Sequence, residues 1–464
     1  MREFFIKNKH IHFIGIGGIG MSGMAELLMN HGFKISGSDL NENDRTVHLK
    51  NLGIDIKYNH SKKNINNCDL IVYSSAINDD NEELVYGEKS NLPCMKRSAL
   101  LGEIIKIKDI SVGVAGTHGK TTTSSMLGMI LFESSKDPTL IIGGIVNKFN
   151  SNNISGNGNI IVVEADEFDR SFLSLKPTYS VINNLDLEHL DCYNNIDDLK
   201  ETFIQYANAI PFYGKIAINN DSKYLNEIIQ YINKPIITFG IDNDSDVKAK
   251  IISYSENKSI FDITFSNNKK IHMELNCPGK HNIYNALAAT TIALELGISR
   301  KHIKRALKKY SGVKRRFECK YDKNDIMIID DYAHHPIEIE YTLKAAKHGW
   351  NKRIISVFEP HLYTRTKDFY SDFAKALSIS DLVIVSKIYG AREEPIKNIT
   401  SQLIINDLEK MNYKKSIYIK NKNNIPLYLK KILLKNDMVL CMGAGKINSI
   451  ISQVIIEIDK IYEK

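Results

Sequence analysis

Cysteine is scarce. The 464 residues hold six, at positions 68, 94, 192, 277, 319 and 441, and no two are spaced as CxxC. That removes zinc and thiol-redox spacings. Sparse thiols in a long chain fit a reducing compartment, where most act as small core hydrophobes. Long apolar runs are missing too. The longest, Phe13 to Ala25, is studded with glycine and too short to span a bilayer. Met1 to His10 is charged and has no signal-peptide core of its own. The expectation is a cytoplasmic protein with no membrane partner. Charge of one sign is also lacking. Lys+Arg total 61 and Asp+Glu 54, a net +7. That is compatible with anionic small molecules and too weak to argue for nucleic acid. A solvated surface rich in Lys and Asn explains the excess by itself. There is no internal repeat and no low-complexity linker.

What is present is an ordinary globular composition, 43% hydrophobic and 25% charged. At about 100–200 residues per domain the length suggests roughly three domains. The chain makes three strand-to-loop starts. The first is Ile11 to Ile14, then a glycine turn, a helix from Met21 to Asn30 with Gly32 as its C-cap, a strand Phe33 to Ser38 and another at Leu70 to Tyr73. The second is the apolar run Ile110 to Ala115, a loop and a helix Thr122 to Phe132. Apolar runs follow at 160–163, 179–182, 215–218 and 236–239, then a stretch from Val247 to Leu275 that reads as a small antiparallel insert. The third is Ile326 to Ile329 running into Asp330-Asp331, with strands at 353–358, 382–385 and 438–441. Strands alternating with helices imply mostly parallel sheets.

Gly15-x-Gly17-x-x-Gly20, followed at the end of the next strand by Asp39, fits a dinucleotide fingerprint. The glycines permit a tight turn and close approach to a pyrophosphate, and the helix N-terminus favours the anion. The motif leaves NAD, FAD and a UDP-sugar open. Its competitor is a tight turn with no ligand. Gly116-Thr117-His118-Gly119-Lys120-Thr121 is more specific. Backbone N–H groups of such a loop wrap a polyphosphate. Lys120 would reach the β/γ oxygens, and the Thr121 hydroxyl would bind Mg²⁺. The strict pattern wants glycine where Val114 stands, so this is a shortened ATP loop. Glu164-Ala-Asp166-Glu167 ends the strand at 160–163, and Glu164 is a candidate Mg²⁺ ligand, with a solvated acidic loop as the competing reading. His189, flanked by acids after the strand at 179–182, is a candidate for a second metal. Arg315-Arg316 suits phosphate recognition, against a solvated basic patch. Asp331-Tyr332-Ala333-His334-His335-Pro336 and His361-Leu362-Tyr363-Thr364-Arg365-Thr366 each follow a strand. Adjacent His side chains diverge, so polar substrate contacts fit better than a shared metal.

Together these motifs resemble the Mur ligase family, the ATP-dependent amide-forming enzymes of peptidoglycan assembly, over essentially the whole chain. His12-Phe-Ile-Gly-Ile-Gly-Gly-Ile-Gly-Met-Ser-Gly-Met24, Asp331 to Pro336 and Tyr363 to Thr366 are similar to the member that joins L-alanine to UDP-N-acetylmuramate. The resemblance implies an α/β fold in three domains. These are a Rossmann-like UDP-binding domain (1–106), a central P-loop ATP-binding domain with a parallel sheet (107–313) and a C-terminal Rossmann-like domain that takes the amino acid (314–464).

The resemblance also implies roles. Gly15, Gly17, Gly18, Gly20, Asp39, Ser74 and Ser75 would hold the UDP moiety. Gly116, Thr117, His118, Gly119, Lys120, Thr121 and Thr122 would hold ATP, with Asn285 at the adenine, Arg316 at the phosphates and Asp331 at the ribose. Thr121, Glu164 and His189 would be metal ligands. His334 and Arg365 would orient the alanine, Arg365 as partner of its carboxylate. Two departures stand out. Leu362 replaces the first Arg of the family's Pro-His-Arg-Tyr-Thr-Arg, so one carboxylate contact is expected to be absent. The helix expected at 199–210 has Lys200 at its start and Gln205 and Tyr206 in its middle, so no metal-bridging carbamylated lysine is expected. A monomer or weak homodimer is expected. The alternatives are a recycling ligase adding a tripeptide to the same sugar, an NAD-dependent dehydrogenase, and a non-enzymatic nucleotide switch.

Overall fold

The computed structural model describes residues 9–65, 67–187, 192–391 and 393–462. Within them lie three sheets. The first has five strands in the order Asp55–Lys57, Lys34–Ser38, His10–Ile14, Leu70–Tyr73, Cys94–Lys96, all parallel. The second has ten, in the order Lys270–Leu275, Lys258–Phe265, Val247–Ser255, Ile236–Gly240, Lys215–Asn219, Tyr179–Ile182, Ile110–Ala115, Ile160–Glu164, Thr139–Val146, Ser151–Ile154. The third has six, in the order Glu318–Lys323, Ile326–Asp331, Asp437–Met442, Arg353–Phe358, Leu382–Ser386, Ser416–Ile419, parallel except for its first pair.

Chain contacts group these residues into two compact units. One runs up to Lys250 and includes Asp262–Met273 and Tyr284–Tyr310. The other is Ile251–Phe261, Glu274–Ile283 and Ser311–Lys464. The first unit carries the five-stranded sheet and most of the ten-stranded one, and the second carries the six-stranded sheet.

The strands form where the sequence has short β-branched runs buried on both faces, as parallel strands covered by helices require. His10–Ile14 and Asp437–Met442 are buried at every position. The helix Lys120–Glu133 is buried from Thr121 to Leu131, so it shows no amphipathic stripe. Two elements differ from the sequence expectation. Val247 pairs in parallel with Phe239, so the 247–275 strands continue the central sheet instead of forming a separate insert. Thr139–Val146 and Ser151–Ile154 form an antiparallel pair where no strand was expected. Gly143-Gly144 and Ser151-Asn152-Asn153 read as loop by composition. This pair packs against the helix Ile19–Asn30: a Cβ on Gly23 would collide with the Asn153 side chain. Gly23 is therefore fixed by contact between the first and second sheets' layers.

Candidate active site

In the first unit, the strand Ile110–Ala115 lies between Ile160–Glu164 and Tyr179–Ile182, all parallel. The loops after their C-terminal ends share one crevice, where open α/β sheets bind ligands. Gly116 (φ +126°) and Gly119 (φ +80°) take the left-handed backbone that glycine alone adopts freely. Neighbours hold the loop in place. The Thr117 N–H donates to the Asn184 carbonyl (3.3 Å), the His118 N–H to Asn184 Oδ1 (2.7 Å) and the Asp186 N–H to Thr117 Oγ1 (3.0 Å). Asn183, whose Nδ2 donates to the His118 carbonyl (3.4 Å), and Asn184 are thus scaffolding, a role sequence reasoning did not assign them. Their signal was position, directly after a strand end.

Lys120 folds across this loop. Its ammonium donates to the Gly116 carbonyl (2.8 Å) and to both carboxylate oxygens of Glu167 (2.9 and 2.7 Å), with Asp166 at 3.6 Å. Thr121 and Thr122 are buried in the first helical turn. The Thr121 hydroxyl bonds to Glu164, whose Oε1 also accepts the Gly143 N–H at 2.7 Å. Burial pushes the Glu164 carboxyl up; the Gly143 and Thr121 hydrogen bonds and Lys120 oppose it. A hydroxyl and a carboxylate side by side beside a phosphate loop are the hard oxygen donors Mg²⁺ takes, with phosphate and water completing the shell. His189 lies outside the described residues. Among those described, no group of three or more His, Cys, Asp or Glu could hold a metal ion. Asn285 sits on the loop itself: Thr123 donates to its Oδ1 (3.1 Å), and a Cβ at Gly119 would strike that oxygen.

The glycine turn of the first sheet is equally determined. Gly15 (φ +79°) and Ile16 donate to the Ser38 carbonyl (2.8 and 3.0 Å), and Gly17 donates to Asp39 Oδ2 (2.8 Å). A Cβ on Gly17 would reach 2.6 Å from Asn43 Nδ2 and 2.8 Å from Asp39 Oδ2. Asp39 therefore fixes the turn, a task the fingerprint reading did not assign it. Gly18 donates to the Gly15 carbonyl. Ser74 lies against Gly15, and Ser75 is exposed in the next turn. Arg97 was not singled out in sequence. It lies beside Gly20 and lines a depression shared with Glu164 and Asp166, which places a cation between the glycine turn and the ATP loop.

In the second unit, Arg316, His334 and Arg365 are connected through intermediaries. Glu338 is 3.6 Å from Arg316 Nη1, and its Oε2 accepts the His334 N–H (3.1 Å). The His334 ring meets His361 edge to face at 5.9 Å, and His361 Nδ1 is 3.4 Å from Arg365 Nη1. Arg316 lies over the Tyr332 ring. Glu338 was not anticipated, because it lies inside a helix, Pro336–Gly349, whose outer face reads as ordinary surface. Asp331 is buried, and its two oxygens accept from Ala333 and Phe317 (2.7 Å each). Burial raises its carboxyl to about 6 against the pull of Arg316 and those two hydrogen bonds. Leu362 precedes the helix Tyr363–Leu377 with φ +69°, a strained conformation for a side-chain-bearing residue, held by its N–H on the Tyr389 carbonyl (3.0 Å).

The UDP-N-acetylmuramate–L-alanine ligase of Persephonella marina is 43% identical over 449 residues, covering 97% of this chain and 96% of that one. The chain belongs to the Mur ligase family. The Mur ligase family catalytic domain matches residues 10–108, the middle domain 114–293 and the glutamate ligase domain 315–445. The crystal structure of UDP-N-acetylmuramate-alanine ligase from Thermotoga maritima superposes with a TM-score of 0.80 at 29% identity, covering 98% of this chain and 99% of that one. A murein peptide ligase from Psychrobacter arcticus gives 0.71 at 26% identity, covering 97% and 98%. Within this Mur ligase, Lys200 is paired with Glu227 (2.6 Å) and Asp197 (3.1 Å), which hold its amine protonated.

Proposed function

We propose that this chain is the ATP-dependent ligase that joins L-alanine to UDP-N-acetylmuramate, forming UDP-N-acetylmuramoyl-L-alanine, ADP and phosphate. The reading is carried by the ATP loop, with Lys120 and the Thr121–Glu164 pair, in a Mur ligase 43% identical over nearly its full length to a protein of that name. We further assign Mg²⁺ to Thr121, Glu164 and His189, domain boundaries near residues 106 and 313, a cytoplasmic site of action and a monomer or weak homodimer. No described helix is long and apolar enough to cross a membrane.

A free carboxylate is a poor acyl donor because its leaving group would be oxide. Transfer of the γ-phosphoryl group to the muramoyl carboxylate makes an acyl phosphate. The alanine amine then attacks the acyl carbon, and phosphate leaves with the C–O bond electrons. Two anions must approach each other in the first step. Lys120 and Arg316 offset that repulsion, and preorganised cations act most strongly as charge redistributes in the transition state. Mg²⁺, when bound, would neutralise charge on the β/γ oxygens. Thr121 and Glu164 would hold it beside the loop. The backbone N–H groups of 116–121 orient the polyphosphate, the Gly15–Gly20 turn holds the UDP diphosphate, Asn285 meets the adenine edge and Asp331 the ribose. His334 and Arg365 orient the amino acid. Lys120 and Glu164 belong to the first unit, and Arg316, His334 and Arg365 to the second.

The test is phosphate release with UDP-N-acetylmuramate and L-alanine, glycine, L-serine or tripeptide as acceptor. L-alanine is expected to give the highest kcat/KM. Preference for tripeptide would establish the recycling ligase, and ATP binding without acceptor-dependent ADP release would establish a switch.

Leu362 offers a sharper check. It stands one turn from Arg365 and cannot bind a carboxylate. Leu362→Arg is expected to lower the KM for L-alanine about tenfold, since a second Arg–carboxylate hydrogen bond adds about 1.5 kcal/mol. An unchanged or higher KM would place Leu362 away from the carboxylate.

A further inference from the structure

Glu167 follows the strand that ends at Glu164, and its side chain is 1% exposed. Its carboxylate takes two of the shortest contacts made by Lys120, 2.7 and 2.9 Å, and the Gly116 carbonyl takes another at 2.8 Å. An ammonium has three donors. The Lys120 donors are therefore committed within the protein, two of the contacts to a single buried anion. A nucleotide phosphate competes with that anion for the same cation. The Glu167 segment is itself held in place: the Tyr193 hydroxyl donates to the Glu167 carbonyl at 2.6 Å, and the Arg170 N–H does so at 3.0 Å. The carboxylate is thus presented by fixed backbone, unlike a mobile surface counter-ion.

We propose that Glu167 is a positioning residue that holds Lys120 across the 116–121 loop and is exchanged for nucleotide phosphate on binding. It keeps a partly buried cation compensated when no nucleotide is present, and it weakens nucleotide binding by the strength of the contact that must be given up. A ligase that must release ADP each turnover gains from such a competitor. The proposal rests on the ATP reading of the 116–121 loop.

The test is the ADP dissociation constant, measured by calorimetry on the full chain, for wild type, Glu167→Gln, Lys120→Ala and the double variant. Glu167→Gln keeps the shape and removes the competing charge. ADP is expected to bind it about tenfold more tightly than wild type, the scale of one charge-assisted hydrogen bond. In the Lys120→Ala background the same change is expected to do nothing, because the exchange acts through that ammonium alone. A merely structural role would weaken binding in both backgrounds. Should Glu167→Gln fail to fold, Glu167→Asp retains charge but shortens the arm, and binding a few-fold tighter than wild type is expected. Equal or weaker ADP binding by a folded Glu167 variant overturns the proposal while leaving the ATP reading intact. No ADP binding by wild type overturns the ATP reading, and the exchange with it.

Discussion

Lys120→Ala is expected to lower the rate of ADP and phosphate release by about a thousandfold or more, the scale of losing a preorganised charge in a dry site. The same substitution also disturbs folding, and the structure says why. Glu167 is buried against Lys120, and removing one partner of a buried ion pair costs about 3–5 kcal/mol because the other charge stays uncompensated. The double variant Lys120→Ala/Glu167→Gln removes both charges. It is expected to recover most of the lost thermal stability and none of the activity. Measuring melting temperature and turnover on both proteins separates the chemical role from the structural one. Near-normal ligation by a folded Lys120 variant would refute the assignment of the loop to ATP.

The second large effect lies under the glycine turn of the first sheet. Glu83 is fully buried in a polar cluster. Its carboxylate accepts from Ser38 Oγ (2.5 Å) and Asn64 Nδ2 (2.6 Å), His60 Nδ1 is 3.1 Å away and His12 Nε2 is 3.8 Å away. Burial alone would push the carboxyl up, but His12, Ser38 and Asn64 together hold it down at about 2. The folded value lies below the ordinary glutamate value of about 4.5. The group therefore contributes stability above pH 4.5 and loses it as pH falls toward 2. By linkage the contribution is about 3 kcal/mol. Glu83→Gln is expected to lower stability at pH 7 by an amount of that order and to flatten the loss between pH 4.5 and 2. Acid titrations of both proteins followed by circular dichroism check it. Parallel acid limbs would mean that the cluster does not hold the carboxylate ionised. Because Ser38 carries the carbonyl that receives the Gly15 and Ile16 N–H groups, the same variant is expected to raise the KM for UDP-N-acetylmuramate.

The motifs that name the chemistry were legible because each is local. Gly116 to Thr121 works through backbone N–H groups of consecutive residues, and Gly15 to Gly20 through a turn that a single Cβ would block. Short β-branched runs likewise announced the strands at 110–115, 160–164 and 326–331, since burial on both faces leaves little room for polar residues. The strand at 139–146 was hidden because Gly143-Gly144 interrupts its apolar run, and the one at 151–154 because it is mostly polar. Their stability comes from the neighbouring strand and from the helix over Gly23.

The sequence by itself determined three α/β starts, the phosphate loop and the family, because glycine positions, strand periodicity and the Gly-Lys-Thr order are one-dimensional properties. Only the tertiary structure decided the partners of the charged groups. Glu164, Asp166 and Glu167 are near neighbours in sequence. Alternation at the strand end and the turn that follows send Glu164 to Thr121 and Glu167 to Lys120. Asp39 fastens Gly17, and Glu83 reaches Ser38 from 45 residues away. A charge's role depends on which opposite charge burial brings within about 3–4 Å, where the interaction outweighs desolvation. That distance is set by the packing of sheets and helices, which no local pattern encodes.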